Sequence, residues 1–131
     1  MDITGRCHCG SITYRAKIDT EPVTICNCTD CQQLSGSAYR VTVSGREEDF
    51  ELLSGEPTAY VKQGESGGYG THYFCPRCGS PLYRRREGSR MGIRLGSIDQ
   101  RADLRPTRQI WCRSALSWTT DIGNLPQRSK E

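Results

Sequence analysis

The sequence predicts a mainly β fold of small antiparallel sheets, with few or no long helices. Three observations carry that prediction. Apolar residues alternate with polar ones at period two in several short runs. Gly (14) and Pro (6) interrupt the 131-residue chain about every six or seven residues, which leaves little room for long helices. Only 34% of residues are hydrophobic while 8 are cysteine, so a modest core needs help from another source of stability. The length suits one domain, residues 1–131.

The elements follow in chain order. Ile12, Tyr14, Ala16 and Ile18 alternate with Thr13, Arg15 and Lys17 as a half-buried strand. A helical turn is expected near Asp30 to Leu34, closed by Ser35-Gly36 because glycine tolerates the left-handed residue that ends a helix. Tyr39, Val41 and Val43 alternate with Arg40 and Thr42 as the next strand. Turns are read at Ser44-Gly45, at Ser54-Gly55-Glu56-Pro57 and along Gly64 to Gly70. Met91, Ile93 and Leu95 alternate around Gly92 and Arg94, and Ile110 and Cys112 sit between Gln109, Trp111 and Arg113. Arg84 and Arg86 point to one side of a strand and Arg85 to the other, so this run reads as a solvated face. Tyr69, Tyr73 and Trp111 are candidate pocket or core aromatics.

Several classes of protein are set aside by composition. No run approaches the roughly 20 apolar residues that cross a bilayer, and the first residues carry no apolar signal segment. A cytoplasmic location is therefore expected, with no membrane partner and with thiols kept reduced. Reduced cysteines in groups point to metal binding. A net charge of +3 argues against nucleic acid as the main partner. Fifteen Arg against three Lys favour bidentate contacts to carboxylate or phosphate groups.

Seven of the cysteines form three groups: Cys7-His8-Cys9, Cys26-Asn27-Cys28-Thr29-Asp30-Cys31 and Cys75-Pro76-Arg77-Cys78-Gly79. A C-x-x-C turn places two thiolates on one side of a bend, in reach of one tetrahedral zinc at about 2.3 Å. In C-x-C the sulfurs converge only if the backbone bends, which Gly10 permits. Seven ligands divide most economically into a closed structural zinc on Cys7, Cys9, Cys75 and Cys78, and a second zinc on Cys26, Cys28 and Cys31 with its fourth position open. Cys112, His8 or His72 would make the second site structural instead if one of them closed it. Cys112 reads as a small buried hydrophobe, His8 as pointing away from the cluster, and His72 as structural.

These three clusters resemble the glutathione-dependent formaldehyde-activating enzyme family, also called the centromere protein V family. The resemblance rests on Gly5-Arg6-Cys7-His8-Cys9-Gly10-Ser11-Ile12, on the middle cluster with Ser35-Gly36-Ser37, and on Phe74-Cys75-Pro76-Arg77-Cys78-Gly79-Ser80. Leu95-Gly96-Ser97-Ile98-Asp99 and the stretch from Arg108 to Trp118 resemble its closing elements, so the core runs from about residue 5 to 118. The resemblance implies a zinc-bearing β-tent with Zn²⁺ at two per chain. It implies a structural zinc on Cys7, Cys9, Cys75 and Cys78 and a catalytic zinc on Cys26, Cys28 and Cys31. The implied reaction joins glutathione to formaldehyde, which makes the protein a carbon–sulfur lyase acting on glutathione or a similar small-molecule thiol adduct.

Three thiolates on Zn²⁺ leave a Lewis-acidic position where an entering thiol loses its proton. Ser35, Gly36 and Ser37 are candidate substrate-binding residues, with a helix cap and turn as their alternative role. Arg84, Arg85, Arg86, Arg90 and Arg94 would meet carboxylates of a glutathione-like thiol if they left the solvated face. Two other readings stand beside the enzyme. One is a binding module with two structural zincs and an anionic partner; the other is a redox sensor in which Cys26, Cys28 or Cys31 forms a disulfide and releases zinc.

Overall fold

The computed structural model describes residues 1–64 and 68–131; residues 65–67 of the Gly64–Gly70 turn lie outside the described residues. In chain order come β1 (Asp2–Arg6), β2 (Thr13–Cys26), α1 (Thr29–Ser35), β3 (Arg40–Ser54), β4 (Thr58–Gln63), β5 (Tyr69–Phe74), β6 (Pro81–Arg85), β7 (Met91–Arg94) and β8 (Arg108–Ile110), with short 3₁₀ turns after β7 and β8. The strands join into one hydrogen-bonded sheet in the order β1-β2-β3-β7-β6-β5-β4. All pairs on that path are antiparallel, and β8 adds to β2 in parallel. The mainly antiparallel β class is as expected, although the strands form one continuous sheet instead of several small ones. Register shifts near Ile18 divide the long β2–β3 ribbon into two stretches, which lets it bend.

The core follows the predicted period where one face meets solvent. Ile12, Tyr14, Ala16 and Ile18 are all buried, with Arg15 and Lys17 outside. Val23, Val43, Leu82, Tyr83, Met91, Ile93 and Ile98 complete the centre. Tyr14 sends its hydroxyl 2.7 Å from the Ser97 hydroxyl, which satisfies a polar group that is otherwise fully enclosed. Gly5 makes room for that ring, because a Cβ there would overlap the end of the Tyr14 side chain.

Alternation fails in three places. Arg40 is buried at the start of β3 although it falls on the polar phase, since both faces are covered there. All four residues of β7 are buried for the same reason, and Leu95 lies in a 3₁₀ turn after the strand. The expected Ile110–Cys112 strand is shorter and more exposed than predicted. β8 ends at Ile110, its three residues are exposed, and Trp111 takes a left-handed φ of 56° that turns the chain away. Cys112 is exposed in the following turn, so its reading as a buried hydrophobe is corrected. Among the described residues no helix is long and apolar enough to cross a membrane.

Candidate metal centre

Cys7 and Cys9 follow β1, and Cys75 and Cys78 follow β5. The ends of these strands bring the four sulfurs together, all within 4.8 Å of one another. Cys7 and Cys9 sulfurs lie 3.6 Å apart, and those of Cys9 and Cys75 lie 3.8 Å apart. A tetrahedral ion with bonds of about 2.3 Å spaces its thiolates by about 3.8 Å, so the donor set fits zinc. Gly10 and Gly79 both have positive φ, 79° and 77°, which closes each turn; at Gly10 this is the bend that glycine permits.

Hydrogen bonds prepare these sulfurs to carry charge. The Ile12 N–H donates to Cys7 Sγ at 3.3 Å. Ser80 Oγ lies 3.2 Å from Cys78 Sγ, and this bond above all pulls the Cys78 pKa down to about 5. The N–H of His8 donates to Ser80 Oγ at 2.9 Å, and His8 itself is exposed outside the sulfur group.

The second group is built at the junction of β2 and α1. Asn27 is buried between two of its cysteines and donates from Nδ2 to Gln109 Oε1 (3.3 Å) and to the Ile110 carbonyl (3.2 Å). Cys28 is the N-cap of α1, accepting from the Cys31 N–H at 3.2 Å. Gln32 Nε2 donates to the Asn27 and Ser114 carbonyls, both at 3.0 Å, which fastens the helix to the chain on either side. The sulfurs of Cys26, Cys28 and Cys31 thereby fall within 4.8 Å of one another. Among the described residues no other His, Cys, Asp or Glu joins that group, so Cys112, His8 and His72 stay outside it. A hydrogen bond from Cys31 lowers the Cys26 pKa, and donating it raises that of Cys31.

Ser35, Gly36 and Ser37 form the end of α1. Gly36 is the left-handed C-cap at φ 63°, the Ser37 N–H donates to the Gln32 carbonyl, and Ser35 Oγ reaches the Tyr39 carbonyl at 3.4 Å. Ser35 borders a hollow on the side of Cys7 and His8, away from the openings beside Cys28.

Two hollows border Cys28. One, of about 530 Å³, is lined by Tyr69, His72, Arg84, Trp111 and Arg113 among others. Tyr73, the third candidate pocket aromatic, stacks on Tyr83 at 4.6 Å between ring centroids and belongs to the core edge. The other hollow, of about 280 Å³, also reaches Cys31 and holds Arg40, His72, Arg84 and Arg94. These arginines do not form a solvated face. Arg94 is 7% exposed, and its Nη1 donates to Thr42 Oγ1 at 2.8 Å. Arg85 points to the other side, over the Tyr83 ring at 5.5 Å, as strand geometry requires.

Comparison with known families matches residues 2–114 to the glutathione-dependent formaldehyde-activating enzyme family. The chain belongs to this family. The fold is similar to that of a solved protein from Rhodobacter sphaeroides, at a TM-score of 0.63 and 19% identity over 81% of this chain and 98% of that one. No curated protein matches the chain. Family and geometry together mark two cysteine clusters compatible with zinc, one with four sulfurs and one with three. Arg40 and His72 are the neighbours that sequence reasoning passed over as binding groups. The sequence carries no clear signal of them, because Arg40 shares its phase with Thr42 and Ser44, and His72 follows Gly70 and Thr71.

Proposed function

We propose that this chain is a zinc-dependent carbon–sulfur lyase of the formaldehyde-activating type, acting on glutathione or a similar thiol adduct. Cys7, Cys9, Cys75 and Cys78 would hold a structural zinc, and Cys26, Cys28 and Cys31 a catalytic one. The observation that carries the reading is the three-sulfur group: it borders an open hollow, and no fourth protein ligand joins it among the described residues. When bound there, zinc would lower the proton affinity of an arriving thiol and so supply the sulfur nucleophile or leaving group.

The chain's own residues do the rest. Asn27 and Gln32 hold the three cysteines at a fixed angle to the hollow through their bonds to the 109–114 segment. Trp111 and Tyr69, 42% and 62% exposed, supply apolar walls at its mouth. His72 accepts from Arg40 and Arg94 at Nδ1, which leaves its proton on Nε2 as a donor for a carbonyl or hydroxyl oxygen. Ser35, Gly36 and Ser37 would support the substrate side through α1, which they terminate next to Leu34. The test is turnover of formaldehyde with glutathione by zinc-loaded protein. Cys28→Ser should lose one zinc and all turnover; full turnover in that variant would contradict the reading.

A further inference from the structure

Three buried or half-buried guanidiniums line the smaller hollow without an acidic partner; the exposed Arg108, which also borders it, donates to Thr24 Oγ1 at 2.8 Å. Arg40 and Arg94 are each 7% exposed, and Arg84 is half-buried beside them. Among the described residues no carboxylate lies within ion-pairing distance of any of the three, whereas Arg15, Arg46, Arg85, Arg90 and Lys62 all have one. The acid bordering the same hollow, Asp30, is paired with Lys62 at 2.7 Å. Arg40 Nε is buried and makes no hydrogen bond.

Buried charges are ordinarily paired, because desolvation costs several kcal/mol per ion. Here burial, and after it the charges of Arg40 and Arg84, pull the Arg94 pKa down to about 9. The sulfurs of Cys26 and Cys31 favour the charged forms of Arg84 and Arg94. Three thiolates around a dication carry about one negative charge, too little to balance three guanidiniums. Gly92 keeps the space open: a Cβ there would lie 2.9 Å from Thr42 Cγ2 and about 4 Å from both Arg94 Nη1 and Arg84 Nε.

We propose that Arg40, Arg84 and Arg94 bind an oxyanion group (carboxylate, sulfonate or phosphate) carried on the thiol that reacts at Cys26, Cys28 and Cys31. The second half of this statement rests on the lyase reading; the anion pocket itself does not. Guanidinium forks match the paired oxygens of such a group, and His72 holds two of the three forks in place. Because one hollow touches both Cys31 and the arginines, the acid group would sit only a few bonds from the sulfur. The preferred ligand is thus a short acidic thiol, and a neutral thiol of equal length is the poorer one.

Calorimetric titration of the zinc-loaded protein with inorganic phosphate tests the pocket alone. Saturable binding is expected, weakened about tenfold or more in Arg84→Gln and partly restored in Arg84→Lys. The Arg84 side chain makes no hydrogen bond among the described residues, while its backbone stays paired with His72 and Gly92 in either variant, and thermal melting checks that both variants are folded. Competition by 3-mercaptopropionate and the neutral 3-mercapto-1-propanol then tests the link to the thiol. The acid should bind about tenfold tighter, and the preference should vanish in Arg84→Gln. No saturable phosphate binding, or binding indifferent to Arg84, would overturn the pocket. Phosphate binding without any preference between the two thiols would overturn the link. Loss of turnover on formaldehyde with both preferences intact would count against the lyase reading alone.

Discussion

Arg94 places Nη2 3.1 Å from Nδ1 of His72, and a guanidinium has no acceptor to offer in return. Arg40 donates to the same nitrogen at 3.2 Å. Nδ1 must therefore be bare, and the ring neutral with its proton on Nε2. Burial is the main force against the imidazolium, followed by the charges of Arg94 and Arg40, and together they push the His72 pKa down to about 3.

His72 is accordingly expected to stay neutral from pH 8 to pH 5, with two-bond ¹H–¹⁵N spectra reporting the Nε2–H tautomer. The unfolded histidine titrates near 6.5 and the folded one near 3, so below about pH 6.5 the unfolded chain binds the extra proton. The stability that follows from a neutral His72 is fully present above pH 6.5 and is lost as pH falls toward 3. In His72→Asn, which keeps an acceptor but cannot titrate, urea midpoints should fall less steeply over that interval. An identical slope in the two proteins would contradict this origin of the acid sensitivity.

The two sulfur clusters should differ in what they do for the fold. Cys7 and Cys75 are buried in the core cluster, and their group ties the start of the chain to residue 78. Structural zinc sites contribute about 10–16 kcal/mol of apparent binding free energy, comparable to the whole stability of a domain. Cys75→Ser should therefore fail to fold cooperatively. Cys28→Ser should keep a cooperative melt with one zinc instead of two. Circular dichroism melts paired with elemental zinc analysis separate the outcomes.

Gly5, Tyr14 and Ser97 form a close-packed triple that a single methyl group disrupts. A Cβ at Gly5 would overlap Tyr14 and lie 2.6 Å from the Ser97 carbonyl oxygen. Gly5→Ala should cost about 3 kcal/mol through overpacking and loss of the buried hydroxyl pair. Tyr14→Phe, which leaves Ser97 its bond to the Arg94 carbonyl at 2.9 Å, should cost only about 1 kcal/mol. Chemical denaturation measures both.

Cys112 is the exposed thiol outside both clusters. In the zinc-loaded protein, iodoacetamide should label it first, and Cys112→Ser should remove the rapid phase without changing zinc content. Zinc loss in that variant would place Cys112 among the ligands.

The cysteine arrangement was legible because ligand number and spacing are local chemistry: C-x-x-C and C-x-C turns, with glycine where φ must be positive, already pair Cys75 with Cys78 and Cys7 with Cys9. The strand at Ile12–Ile18 was legible because one of its faces is solvated. The buried arginines were not. Period-two reasoning assigns Arg40 and Arg94 to a polar face, and only the neighbouring strands show that this face is covered and that His72 stands between them. β8 was misjudged because its pairing with β2 is parallel and non-local, with nothing in Arg108–Ile110 to announce where it stops.

Zinc-edge X-ray absorption, recorded with and without an added thiol, decides whether the Cys26, Cys28 and Cys31 site is open. An average of about 3.5 sulfurs per zinc is expected without thiol, from one four-sulfur and one three-sulfur site, rising to about 4 when glutathione or 3-mercaptopropionate is added. An average of 4 before any thiol is added, unchanged afterwards, would mean that both sites are closed and structural.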